Sequence, residues 1–172
     1  MTIRYDAGEV ITAMVTPFNE KREIDYPAVE KLCKHLVNTG SDALLVAGTT
    51  GESPTLTHDE EYELLYAVKA TVSGAAKVIM GAGSNSTRTA VDVTKKVESL
   101  GADAVLSVVP YYNKPNQQGM IEHFGAIARS TNLPIILYNI PSRTGVNMLP
   151  QTVAFLAKEY SNIVALKQSN SD

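Results

Sequence analysis

Six short apolar runs punctuate the chain at intervals of roughly 27–34 residues, the length of one βα unit. They are Val10–Phe18, Ala43–Gly48, Lys77–Ala82, Ala104–Pro110, Pro134–Ile140 and Ile163–Ser169. Several are near-continuous in Val, Ile, Leu and Met, which suits parallel strands covered on both faces. Polar stretches with helical spacing lie between them. In the first, Val29, Leu32, Cys33, Leu36 and Val37 share a face, Asp25 is placed to cap and Gly40 to stop. In the second, Thr57 and Glu60 have capping-box spacing, and Leu64, Leu65, Val68 and Val72 form the stripe before Gly74. The third carries Val93, Val97 and Leu100 before Gly101, and the fourth Met120, Phe124, Ile127 and Ala128. The fifth opens at Pro150, a favoured first-turn residue, and continues with Val153, Leu156 and Ala157.

The order is α/β, (βα)₅β, with no linker or low-complexity tract to mark a boundary within residues 1–172. Two architectures carry that order. A doubly wound open sheet accepts five or six strands, whereas a (β/α)₈ barrel needs eight and typically about 250 residues. Length alone favours the open sheet. In either case ligands bind at the C-terminal ends of the strands.

Composition narrows the function classes. The chain of 172 residues is 44 % hydrophobic and 19 % charged, with a net charge of −3 and no block of like charges. That balance argues against nucleic acid or an anionic membrane as partner. A single cysteine, Cys33, cannot form an internal disulfide. No secretory pattern and no membrane-spanning run is present, so the expected location is cytoplasmic. His35, His58 and His123 are scattered without partner spacing, and no metal site is expected.

The predicted strand ends concentrate polar chemistry. Gly48-Thr49-Thr50-Gly51-Glu52-Ser53 follows the second strand, Pro110-Tyr111-Tyr112-Asn113-Lys114 the fourth, and Tyr138-Asn139-Ile140-Pro141-Ser142-Arg143-Thr144-Gly145 the fifth. Lys167 follows Ile163-Val164-Ala165-Leu166, so partial desolvation is expected. Desolvation disfavours the ammonium, and a neutral amine can attack a ketone to form a Schiff base. The plainer reading is a strand-end lysine whose head reaches water. Tyr138 sits where a proton relay could stand, or is a core tyrosine with a satisfied hydroxyl. Arg143 could clamp a carboxylate, and the Thr49-Thr50 turn offers hydroxyls and backbone donors to a small anion, against plain loop readings for both. Tyr111-Tyr112 offers further phenols for a relay or, more plainly, an aromatic patch at an interface; Glu52 could act as acid or base, though a carboxylate here more commonly holds its turn together; and Cys33 reads as a core thiol.

Taken in order and at their separations, Gly48–Ser53, Pro110–Pro115, Leu137–Gly145 and Ala165-Leu166-Lys167 resemble the dihydrodipicolinate synthase family of the pyruvate-dependent class I aldolase and N-acetylneuraminate lyase superfamily. The resemblance implies a TIM (β/α)₈ barrel with a C-terminal helical region. This chain would cover the first six strands and five helices, without units seven and eight and without the helical region. It also implies condensation of pyruvate with L-aspartate-4-semialdehyde to 4-hydroxy-tetrahydrodipicolinate, on the route to diaminopimelate and lysine. Lys167 would form the imine with pyruvate, with no metal or organic cofactor. Tyr138 would shuttle protons, Thr50 would link it to Tyr112 of a neighbouring subunit, Thr49 and Thr50 would hold the pyruvate carboxylate, and Arg143 would meet the semialdehyde carboxylate. A homodimer or homotetramer is implied.

Relatives that act as N-acetylneuraminate lyase or keto-deoxy-sugar-acid aldolase usually lack the arginine of Pro141-Ser142-Arg143-Thr144-Gly145 and carry Ser at the place of Thr49. A non-catalytic fragment is the alternative from another class. The sequence also departs from the family at Gln168, usually acidic, and at Glu61, where a second histidine lines the lysine feedback pocket of some members. Pro54 stands where Ala is common and Thr89 where an acid is frequent, while Asn85 and Tyr111 are retained. Lysine feedback is therefore expected to be weak or absent.

Overall fold

In the computed structural model, which describes residues 5–170, the expected caps start the first two long helices. The Asp25 carboxylate accepts the Ala28 N–H at 3.0 Å and opens α1 (Tyr26–Asn38), which buries Val29 and Cys33. The Thr57 hydroxyl accepts the Glu60 N–H, and the Glu60 carboxylate accepts the Thr57 N–H, at the head of α2 (His58–Val72). Each bond satisfies a donor that the first helical turn leaves without an intrahelical acceptor. The predicted stripe of α2, Leu64, Leu65, Val68 and Val72, is buried.

The chain divides into two compact units. One comprises Asp6–Gly81 with Ser99–Asp103. It holds β1 (Ile11–Ala13), α1, β2 (Ala43–Val46), a 3₁₀ turn at Ser53–Thr55, α2 and β3 (Lys77–Gly81). β1 pairs with β2 and β2 with β3, all parallel, with Ile11 opposite Ala43 and Ala43 opposite Lys77. All of β2 is buried, as a strand covered on both faces should be. Asp103 fastens the start of β3 by accepting the Val78 N–H at 2.7 Å and the Lys69 ammonium at 2.9 Å.

The other unit comprises Ala82–Glu98 and the chain from Ala104 onward. It holds most of α3 (Thr87–Ser99), then β4 (Ala104–Val108), α4 (Gln117–Ala128), β5 (Ile135–Asn139), a one-turn α5 (Pro141–Thr144), α6 (Pro150–Glu159) and β6 (Ile163–Gln168). β4 pairs with β5 and β5 with β6, again parallel. The buried face of α4 includes Met120, Phe124, Ile127 and Ala128, as its spacing predicts.

Three expectations are corrected. The first run is strand only over Ile11–Ala13. Beyond it the Thr16 hydroxyl donates to the Gly51 carbonyl at 2.7 Å, Pro17 has no N–H to give a ladder, and Phe18 bridges back to Ile24. The buried residues of α6 are Thr152 and Leu156, while Ala157 is exposed; the Thr152 hydroxyl turns inward to the Gln117 side-chain carbonyl at 2.6 Å. The turn α5, inside a segment read as loop, starts at Pro141, whose fixed φ and missing N–H suit a first helical position. Among the described residues no helix is long and apolar enough to cross a membrane. The start at Met1 and the end at Asp172, on which the expectations of no leader and of an incomplete barrel rest, lie outside the described residues.

Candidate active site

The register of β5 and β6 sets Tyr138 opposite Lys167. Register partners in a parallel pair present their side chains on the same face of the sheet. The Lys167 Nζ accordingly lies over the Tyr138 ring, 4.3 Å from its centroid. Tyr138 is buried and Lys167 half-buried. Backbone bonds hold this pair of strand ends on both sides: the Val109 N–H donates to the Tyr138 carbonyl and the Ser169 N–H to the Asn139 carbonyl, each at 2.9 Å. The shielding expected from the aliphatic run before the lysine is only partly present. Ala165 and Leu166 are exposed, because β6 has a strand partner only in β5 among the described residues. The phenol ring is what the amine rests on.

The residue after Tyr138 is a hub. Asn139 is 1 % exposed, and its side-chain N–H groups donate to the Asn147 Oδ1 at 2.7 Å, the Gln168 Oε1 at 3.1 Å and the Met148 carbonyl at 3.4 Å. Its Oδ1 accepts the Met148 N–H at 3.1 Å. Gln117 grips the same loop from α4: it donates to the Asn147 carbonyl at 2.8 Å and accepts from the Leu149 N–H at 3.0 Å. Arg143 stands exposed on α5, at the head of this loop, and the buried Thr144 hydroxyl closes the turn onto the Ile140 carbonyl at 3.1 Å. Neither Asn139 nor Gln117 was singled out by the sequence. The available signal was a carboxamide inside an apolar strand, which buries polar atoms at a cost unless they find partners.

Tyr112 is 88 % exposed and has φ 68°, in the left-handed region. A non-glycine residue there costs roughly 1–3 kcal/mol, and such residues gather at functional sites. The neighbouring Asn113 fixes the segment by donating to the Asn85 carbonyl at 3.1 Å.

Thr49 and Thr50 belong to the other unit, where both are exposed on a tight turn. The Glu52 N–H donates to the Thr49 carbonyl at 3.2 Å and the Ser53 N–H to the Gly48 carbonyl at 3.4 Å. Thr16 buttresses the turn through Gly51. Glu52 has φ 57° and its side chain makes no capping bond, so the expected role of loop-holding carboxylate passes to Glu61. Glu61 is buried, accepts the Ser53 hydroxyl at 2.8 Å and pairs with the His58 Nδ1 at 2.9 Å. Burial pushes the Cys33 thiol up to about 11, as a core thiol requires.

The profile of the Dihydrodipicolinate synthetase family matches residues 6–172. The chain belongs to this family. A 4-hydroxy-tetrahydrodipicolinate synthase of a Synechococcus species is 57 % identical over 163 residues, which are 95 % of this chain and 53 % of that protein. A crystal structure of DHDPS from Cyanidioschyzon merolae with lysine bound is 56 % identical, with a TM-score of 0.95 over 96 % of this chain and 57 % of that one. A chloride-inhibited dihydrodipicolinate synthase from Acinetobacter baumannii complexed with pyruvate is 40 % identical, with a TM-score of 0.95 over 97 % and 57 % of the two chains. The chain therefore spans about half the length of the dihydrodipicolinate synthetase family members it matches. Of the two architectures open at the level of element order, the fold class is the (β/α)₈ barrel type of these synthases and not the doubly wound sheet.

Proposed function

We propose that this chain contributes the imine-forming part of a 4-hydroxy-tetrahydrodipicolinate synthase, condensing pyruvate with L-aspartate-4-semialdehyde. The observation that carries the reading is the Lys167 Nζ resting 4.3 Å from the centre of the Tyr138 ring, in a chain of this family. Lys167 attacks the keto carbon of pyruvate, and loss of water leaves a protonated imine. That imine withdraws electrons from the adjacent methyl, which gives up a proton to form an enamine. The enamine carbon attacks the aldehyde. The amino group of the second substrate then closes the ring onto the imine carbon and releases Lys167. All polarisation is supplied by the covalent imine, so the reaction calls for no metal or organic cofactor.

Tyr138 moves protons to and from the departing oxygen, a contribution of roughly 10²–10⁴ in rate for a well-placed acid–base group. The backbone donors and hydroxyls of Thr49 and Thr50 receive the pyruvate carboxylate. Arg143, exposed at the end of its turn, receives the carboxylate of the semialdehyde. Tyr112 is 88 % exposed, which suits the role the family resemblance implies for it, a phenol supplied to a neighbouring copy in a homodimer or homotetramer. A cytoplasmic location goes with this reading.

Incubation of the intact protein with pyruvate and borohydride should fix one pyruvate per chain on the Lys167 peptide, read by mass spectrometry. An adduct that persists in Lys167→Ala overturns the assignment. Supplying L-aspartate-4-semialdehyde or N-acetylmannosamine as the acceptor distinguishes the synthase from the lyase of the same superfamily.

A further inference from the structure

We infer that Asn139 is a positioning residue with two separable arms, one fixing the imine-forming strand and the other fixing the loop that carries Arg143; this rests on the function proposed above. Asn139 immediately follows Tyr138, and Gln168, its register partner, immediately follows Lys167. The 3.1 Å bond between their side chains lies one residue beyond the Lys167–Tyr138 pair, on the opposite face of the sheet. It opposes slippage and splaying of β6 against β5 at the point where the amine must hold its place over the phenol. A slip of a single residue would carry Lys167 to the other face.

The second arm reaches Asn147 and Met148. Asn139 donates to the Asn147 Oδ1 and the Met148 carbonyl and accepts the Met148 N–H. These bonds pin the segment that returns from α5, and α5 bears Arg143. A carboxamide is required for this: it has two donor hydrogens and an acceptor oxygen, and every one is used. Aspartate keeps the acceptor and loses the donors. Leucine keeps the volume and loses everything.

The two arms predict different defects. Gln168→Leu cuts only the strand arm. It should slow borohydride trapping of pyruvate by tenfold or more per folded molecule while leaving KM for the semialdehyde within about twofold. Asn147→Ala cuts only the side-chain bond of the loop arm. It should raise KM for the semialdehyde severalfold and leave the trapping rate unchanged. Asn139→Leu should show both defects. Asn139→Asp should recover part of the trapping rate, because the Gln168 amide can turn and donate to the new carboxylate. A purely structural role would lower the active fraction without moving KM or the trapping rate of the remaining molecules. Equal profiles for Gln168→Leu and Asn147→Ala, or no change in either, overturn the inference even where the parent protein traps pyruvate normally. Failure of the parent itself to trap pyruvate instead sinks the underlying function, and the inference with it. Should Asn139→Leu not fold, the two single-arm variants decide alone.

Discussion

A Cβ built on Gly81 would overlap the Ala47 carbonyl oxygen. No backbone tolerates that approach, so the end of β3 can pass beside the start of the threonine turn only as glycine. Ala47 is itself at φ 49°, in the left-handed region. Gly81→Ala should therefore push the Ala47–Gly51 turn aside. The cost should reach the upper end of the range for overpacked cores, about 3 kcal/mol. A urea melt reads the stability, and pyruvate trapping on the folded fraction should show a raised KM for pyruvate. A melt unchanged within 0.5 kcal/mol, a figure on the order of an ordinary surface substitution, would contradict the close packing.

Tyr138→Phe keeps the ring beneath Lys167 and removes only the hydroxyl. Imine formation should slow, because the departing oxygen loses its proton donor while the amine nucleophile stays in place, and turnover should fall by roughly 10²–10⁴. Stopped-flow trapping beside steady-state turnover separates the two steps. A turnover within threefold of the parent would remove Tyr138 from the relay.

His123 gives the acid limb of stability. It is buried, its Nδ1 meets the Thr87 hydroxyl at 2.9 Å, its Nε2 has no partner among the described residues, and burial lowers its pKa from 6.5 to about 4. The folded chain thus holds the ring neutral while the unfolded chain takes up a proton near pH 6.5. Its contribution is intact above that pH and is lost as pH falls toward about 4. Replacing it in His123→Gln should flatten the decline of the denaturation midpoint across this window. An unaltered decline would assign acid lability to other groups.

Lysine should inhibit weakly or not at all. One member of the family was crystallised with lysine bound, and by the family resemblance Glu61 stands where a second histidine is expected. Here its carboxylate is already engaged by Ser53 and His58 and is buried. Strong inhibition by millimolar lysine in a turnover assay would refute this expectation.

Local rules made much of the chain legible. Caps at Asp25 and Thr57 depend on neighbours three residues away, and both form as read. The stripe of α2 follows from periodicity alone. Lys167 and Tyr138 were visible as polar residues in apolar strands, but their approach depends on strand register, which no single segment encodes. Asn139 is harder still. Its partners lie 8 and 29 residues away in Asn147 and Gln168, so its role exists only after the strands have paired. The shortened β1 and the exposed Ala157 have a related cause: the bonds of Thr16 to Gly51 and of Thr152 to Gln117 are tertiary contacts that override the apolar pattern.

The outward reach of Tyr112 carries over to how the proposed activity should behave on dilution. If Tyr112 serves a neighbouring copy as proposed, substrate alone cannot saturate the catalyst; copies must also find one another. Specific activity should then fall below a threshold enzyme concentration, and added Tyr112→Phe protein should poison the wild type by occupying its partner's place.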